Sequence, residues 1–376
     1  MEHVRRRRRA LVVVLSLLGI QLSLLIAPAY ACGCGAMIPD ARQRIAVAEE
    51  QSVLRWDGRQ EQIVMRLTVE GDTRRAAWIM PVPHRATVRL GDPHLFDQLS
   101  AATAPVHRIR PHFWPRHGDW PFDDTSDGVA AAPPPVGGAG GVHVVGRQRL
   151  GPFDVARLTA TDPAALDTWL RTHGFSFPDR LRTALQPYVD QHWEYVAVRL
   201  APETAGTPLH GALDPLHLTF ASDRAVYPMR LSRLARTPQT LGLYVLAAHR
   251  MRPVSDIGGT APRVLFAGRL KDLKDPVGPL ATLAHGTPYL TALSQEFYDP
   301  SRITGDHELR PAATDTPYQQ VVYEDRLREF AGVPAWLLTV GGALLLLVAA
   351  AVLLAVRHSR RPVRPPPPVH PPEPIG

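Results

Sequence analysis

From Val333 to Val356 the chain runs for 24 residues without a charged side chain, and Arg357 follows at once. At 1.5 Å per residue a helix of that length reaches about 36 Å, enough to cross a hydrocarbon core of roughly 30 Å with some tilt. Lipid offers no partner for backbone N–H and C=O groups, so a stretch like this crosses as a helix or not at all. Trp336 stands near its outer edge, where aromatic rings favour the interface. Arg357, Arg360, Arg361 and Arg364 close its other end, and the positive-inside rule keeps them in the cytoplasm. What precedes the span is therefore expected to face outward.

The other end of the chain agrees. Met1–Ala31 has the three parts of a secretory signal: Arg5–Arg9, then the apolar stretch Leu11–Ile26, then Ala29-Tyr30-Ala31. Small residues at Ala29 and Ala31 predict cleavage before Cys32. These two ends also explain the net charge of +7. The five n-region arginines outweigh Glu2, the four tail arginines outweigh Glu373, and the residues between sum to zero. A basic total would suggest nucleic acid as a partner, but a neutral body excludes that reading. The tail, with prolines from Pro362 to Pro374, favours polyproline II over helix.

The predicted organisation is a signal peptide at 1–31, an extracytoplasmic domain at 32–332, a transmembrane helix at 333–356 and a proline-rich cytoplasmic tail at 357–376. Within the exported part, Glu61–Glu70 alternates apolar and polar side chains as a half-buried strand does, and Arg75–Met80 is expected to be its hairpin partner. Pro81 and Pro83 are expected to end that pairing and protect a sheet edge, with Trp78 as a core anchor. Pro93–Ala102 reads as a short helix capped by Asp92. Residues 111–141 hold His112, Trp114, His117, an acidic patch and PPPVGGAGG, the composition of a long surface insertion or hinge.

Beyond it, Val142–Leu150 and Phe153–Thr159 read as strands, Asp162 and Pro163 as a helix start, and Gly174 as its stop. A second helix spans roughly Pro178–Gln191. Strands are expected at Trp193–Leu200, Leu216–Phe220, Tyr227–Leu231, Leu241–Ala248 and Arg263–Leu270. Strands outnumber helices and neighbours are joined by short links. The fold class is therefore α+β, a mainly antiparallel sheet with a few short helices, plus one C-terminal transmembrane helix.

Residues with chemistry to offer are few. Cys32 and Cys34, the only two cysteines, stand at the expected mature N-terminus as a candidate redox or disulfide pair. Four readings stay open: a strained disulfide, lipidation of Cys32, soft-metal binding, or thiols held for packing or pairing with another chain. His107, His112 and His117 recur every five residues, a spacing that shares no helix or strand face, and they read as a solvated loop. His307-Glu308 lacks the second histidine of a zinc-protease motif. No nucleophile elbow and no phosphate-cradling glycine loop is present. No catalytic residue, metal ligand set or cofactor is assigned, and the reading favours a non-enzyme.

The order of segments resembles an uncharacterised family of exported bacterial proteins, domain of unknown function two-three-three-zero. The resemblance rests on a Cys-Gly start after the signal, AAWIMPVP, HLFDQLSAATAP, RLGPFDVARLTATDPAALDTWLRTHGFSFP, LQPYVDQHWEYVAVRL and VYPMRLSRL. It implies an exported, membrane-tethered protein and no activity. The expected function is thus a single-pass envelope protein whose outward domain binds or scaffolds an unknown ligand or protein. The alternatives are an exported hydrolase, or a redox or metal module using Cys32 and Cys34.

Overall fold

Ala76–Val82 is buried at every position in the computed structural model, which describes residues 35–40, 43–116, 119, 154–159, 163–200, 208–272 and 278–360. Side chains of a strand point alternately to its two faces, so an unbroken apolar run is what a strand with protein on both sides requires. That run lies at the centre of a layered body.

In chain order the strands of the first part are β1 (Ala36–Pro39), β2 (Ile45–Trp56), β3 (Gln60–Gly71), β4 (Ala76–Val82), β5 (Thr87–Leu90), β6 (Val106–His112), β7 (Asp154–Thr159) and β8 (Glu194–Leu200). They are followed by β9 (Gly211–Ala212), β10 (Leu216–Ala221), β11 (Ala225–Tyr227), β12 (Gln239–Ala247), β13 (Met251–Pro253), β14 (Arg263–Arg269), β15 (Tyr289–Phe297) and β16 (His307–Pro311). Near the C-terminus lie β17 (Tyr318–Gln319), β18 (Val321–Leu327), β19 (Glu329–Phe330) and β20 (Val333–Pro334).

Two compact units divide the chain, Met1–Val106 with Pro133–Gln320, and His107–Ala132 with Val321–Gly376. The first unit, the body, contains a four-stranded sheet β1-β4-β8-β7 and a nine-stranded sheet β17-β14-β15-β12-β2-β3-β10-β5, with β9 added to β3. Among the described pairs with a full register, β12 with β2 is parallel and the others are antiparallel. β6 and β18 also run the same way, since the Val106 N–H donates to the Gln320 carbonyl and the Arg328 N–H to the His112 carbonyl.

Alternation along each strand assigns the layers. Met37, Trp78, Met80 and Val198 from the small sheet share one core with Leu54, Ile63, Met65, Leu67, Leu243 and Phe297 from the large one. The opposite face of the small sheet, through Ile38, Ile79, Tyr195 and Ala197, packs on Leu166, Leu170, Leu181, Leu185 and Tyr188. These come from helices Pro163–Thr172 and Asp179–Asp190. The opposite face of the large sheet, through Val53, Val64, Tyr244 and Leu290, covers Leu95, Phe96 and Leu99 of helix His94–Ala102 and Leu280 and Leu283 of helix Gly278–Leu283. The body is thus four layers, helices outside and two sheets face to face within, an arrangement in which each amphipathic element hides one apolar face.

Local chemistry explains the ends of several elements. Asp92, one residue before the Pro93 N-cap of helix His94–Ala102, accepts the His94 N–H through Oδ1 at 2.9 Å. Gly174 takes a φ of +83° where helix Pro163–Thr172 stops. The β2–β3 hairpin turns at Gly58, with a φ of +97°, while Asp57 Oδ1 accepts from Arg59 N–H at 3.1 Å and Gln60 N–H at 2.8 Å.

Three sequence expectations are corrected. The hairpin partner of β3 is β2, not Arg75–Met80; β4 pairs with β1 and β8. β4 is therefore interior from Ala76 to Ile79, flanked by β1 and β8. Pro81 lies opposite Tyr195, beyond the stretch Ala76–Ile79 that β1 covers. The strand expected at Tyr227–Leu231 ends at Tyr227 and a 3-10 turn follows at Arg230–Leu234. There the Asp306 carboxylate takes the Met229 and Arg230 N–H groups at 2.7 and 3.1 Å, so no strand can. Finally, His107 and His112 lie on β6, not in a loop. Trp78 is the expected core anchor, fully buried. The expected strand Val142–Leu150 lies outside the described residues.

The second unit holds the ribbon of β6 and β18, the β19–β20 hairpin and helix Ala335–Ser359. That helix has 25 residues and a mean hydropathy of 2.7 over its most apolar stretch, and none of that stretch is buried. Among the described residues it is the one helix long and apolar enough to cross a membrane.

Candidate functional site

Ala29, Ala31, Cys32, Cys34, Arg361 and Arg364 lie outside the described residues. Arg357 falls in the last turn of the apolar helix and Arg360 at its C-terminal cap, where cations complement the helix dipole. Gly35, the residue after Cys34, is pressed on the core. A Cβ there would sit 2.5 Å from the Ile79 carbonyl oxygen and 2.8 Å from Trp78 Nε1. Only glycine allows the chain to enter so closely beside the buried indole.

His112 Nε2 meets Asp119 Oδ2 at 2.7 Å, and His107 Nδ1 meets Glu324 Oε1 at 2.9 Å. The two histidines thus engage separate carboxylates. Among the described residues no group of three or more His, Cys, Asp and Glu side chains is gathered to hold a metal ion.

The sequence reading missed a polar seam inside the body. β2 turns Glu50 and Ser52 inward, into the same core as Leu54. Register places Glu50 opposite Leu241, and Leu241 opposite Gln295, so one lateral row crosses three strands. Above that row lies β11, whose Tyr227 hydroxyl donates to Glu50 Oε1 and stands 2.6 Å from Ser52 Oγ. Ser52 Oγ also donates to Glu50 Oε1 at 3.3 Å. Tyr227 is in register with His307 on β16, and His307 Nε2 meets Gln295 Oε1 at 2.7 Å. Gln295 Nε2 in turn donates to the carbonyls of Gly258 and Thr260 at 2.8 and 2.7 Å.

Two further carboxyls close the seam. Glu61, fully buried, accepts the Val226 N–H at 2.9 Å, while its Oε1 has no hydrogen-bond partner. Burial pushes the Glu61 carboxyl well above its ordinary range, which favours the neutral acid. A side chain here supplies the acceptor that a neighbouring strand would otherwise give to β11. Asp306 accepts from the Tyr188 hydroxyl at 2.6 Å and from Arg230 Nε at 2.7 Å, joining a helix to the 3-10 turn.

Burial also shapes the histidines. The His307 imidazole is pulled down to about 4 by desolvation, so it stays neutral at physiological pH. His217, on β10, is likewise lowered to about 4 by burial, with Arg89 adding to the effect. The seam is sealed: the cavity beside Glu50, lined by Val47, Met229 and Phe297 among others, measures about 10 Å³, room for one water. Its groups act on one another as internal clamps between β2, β11, β15 and β16. The body also carries an open depression of about 490 Å³ between Leu270 and the segment Ala281–Pro288, largely apolar, with His285 on its wall.

Fold and site together define a layered α+β body with, among the described residues, one apolar helix of membrane-crossing length. A family model described as "uncharacterized protein conserved in bacteria (DUF2330)" matches residues 28–310, and the chain belongs to that family. No curated protein matches it. Among solved structures, one titled as the crystal structure of baculovirus P35 aligns with a TM-score of 0.32 at 10% identity, over 60% of this chain and 76% of that chain. A likeness of that size carries no argument.

Proposed function

We propose that the protein is a single-pass envelope protein whose exported body binds or scaffolds a partner outside the membrane, without chemistry of its own. The observation that carries this reading is helix Ala335–Ser359, apolar over a membrane's width and with none of its most apolar stretch buried. Leu345 and Leu346, both more than two-thirds exposed, need a medium other than water. Arg357, Arg360, Arg361 and Arg364 anchor the cytoplasmic side, and cleavage after Ala31 leaves Cys32 as the first residue outside. The depression near His285 is a candidate ligand surface on the body.

A reporter fused after the last residue tests the orientation in a bacterial host. Green fluorescent protein should fluoresce there, and alkaline phosphatase should be inactive; the reverse pattern rejects this topology. Intact-mass measurement of the mature chain reads whether Cys32 is the first residue, carries lipid, or is oxidised with Cys34.

A further inference from the structure

The ribbon of β6 and β18 pairs its charges with one another and leaves its rings exposed. Arg110 grips Asp325 through Nε at 2.7 Å and Nη2 at 3.1 Å, and Arg116 Nη1 adds a third bond at 2.8 Å. The Arg110 hydrogen bond holds the Asp325 carboxyl below the usual carboxylate range. Glu324 and Asp119 are engaged by His107 and His112. What remains outward includes Ile109, Trp114, Tyr323 and Phe330, Trp114 with 62% and Phe330 with 73% of its surface exposed. Phe113 stacks edge-on against Trp114, ring centroids 5.2 Å apart.

These rings stand at one place along the unit. The Arg328 N–H donates to the His112 carbonyl at 2.8 Å, and the Ala335 N–H donates to the Arg328 carbonyl at 2.8 Å. His112 is thereby tied through Arg328 to the first residue of the apolar helix, with Phe113 and Trp114 immediately after it. Between Arg328 and Ala335, the chain makes a two-residue hairpin at Ala331 and Gly332, with φ of 52° and 79°. Two successive positive φ values are the mark of a tight primed turn. Phe330 and Val333 face each other across it, both exposed.

A two-stranded ribbon exposed on both sides is marginal in water. Aromatic rings beside the end of an apolar span gain by entering the layer where headgroups meet acyl chains. We propose that the Phe113–Trp114 turn and the Phe330–Val333 hairpin lie in the outer lipid–water interface, forming a second membrane contact beside the span. The occupant of this surface is the lipid of the membrane that helix Ala335–Ser359 crosses, so the inference rests on the single-span reading. Because Arg110, Arg116, His107 and His112 are engaged with Asp325, Glu324 and Asp119, the contact is assigned to the rings and not to anionic lipid.

The test uses the full chain, with Cys32→Ser and Cys34→Ser, reconstituted in phosphatidylcholine vesicles. Single labelling sites are introduced by Trp114→Cys, Phe330→Cys and Leu345→Cys, each carrying an environment-sensitive fluorophore. Quenching is compared for lipids with a doxyl group near the headgroup, lipids with it at the acyl midpoint, and aqueous iodide. The expected result is that labels at 114 and 330 are quenched several-fold more by the shallow lipid than by iodide, while the label at 345 responds to the deep lipid. If 345 responds and 114 and 330 answer only to iodide, or to neither quencher, the interface contact is rejected and the span stands. If 345 responds to neither lipid, the span itself fails. Shallow quenching that appears only with phosphatidylglycerol and disappears in high salt would overturn the aromatic basis of the contact. The sites at 114 and 330 are read independently, so one variant that misfolds leaves the other decisive.

Discussion

β4 and the stretch Ala335–Val356 of the long helix are both uncharged, largely apolar runs, and the protein treats them in opposite ways. AAWIMPV is buried at all seven positions, between a core shared with the large sheet and a core shared with two helices. The 25-residue helix has no buried residue at all. Length separates the two: seven residues of strand fit the width of a sheet, whereas a long apolar helix has more surface than the folded chain supplies partners for. An apolar run thus becomes core where the chain returns to cover it, and a candidate membrane span where none of the described residues does.

Truncation should expose that contrast. Trp78→Ala removes a fully buried indole between the sheets and should cost about 3–5 kcal/mol, read as a drop in the urea midpoint of the detergent-solubilised protein. Leu345→Ala should leave the same midpoint unchanged, and a comparable loss there would mean the helix is packed on protein. The seam adds a pH-dependent difference. His307 is depressed in the folded state, so its stabilising contribution is complete above pH 6.5 and is lost as the pH falls toward 4. The loss should approach about 3 kcal/mol for a fully buried imidazole. Stability measured against pH should fall less steeply in that window for His307→Gln, with His217 still contributing the remaining slope.

Tyr227→Phe should cost about 1–3 kcal/mol, since it withdraws a hydroxyl from the buried Glu50 carboxyl and from Ser52; an unchanged urea midpoint would show that the seam does not clamp β11. Arg110→Ala, at the exposed pair with Asp325, should leave the midpoint within error of the parent, because solvent and salt screen such pairs. A clear loss there would show that the ribbon is held by its charges.

The contrast also explains what could be read ahead of the structure. The apolar helix, β3, the helices with Leu166 and Leu181, and Trp78 as a core residue follow from period and composition alone. β2 escaped because Glu50 and Ser52 occupy inward positions and a bulge between Val47 and Glu49 breaks the alternation. The signal was present in Glu50, Ser52 and Leu54 at every second position, but a polar residue facing a core looks like a residue facing water until its partners are known. Those partners, Tyr227, Gln295 and His307, lie far along the chain and meet only through sheet register. β6 and β18 escaped for the opposite reason: exposed on both faces, they carry no apolar alternation, and only opposed charges such as Arg110 and Asp325 hint at their pairing.

Protease added to right-side-out membrane vesicles carrying the full chain tests the membrane reading in a single step. If helix Ala335–Ser359 crosses the bilayer with the body outside, digestion should remove the body and leave a membrane-bound fragment that retains a C-terminal epitope tag. Loss of the tag with survival of the body, or release of the intact chain into the supernatant on alkaline extraction, would contradict it.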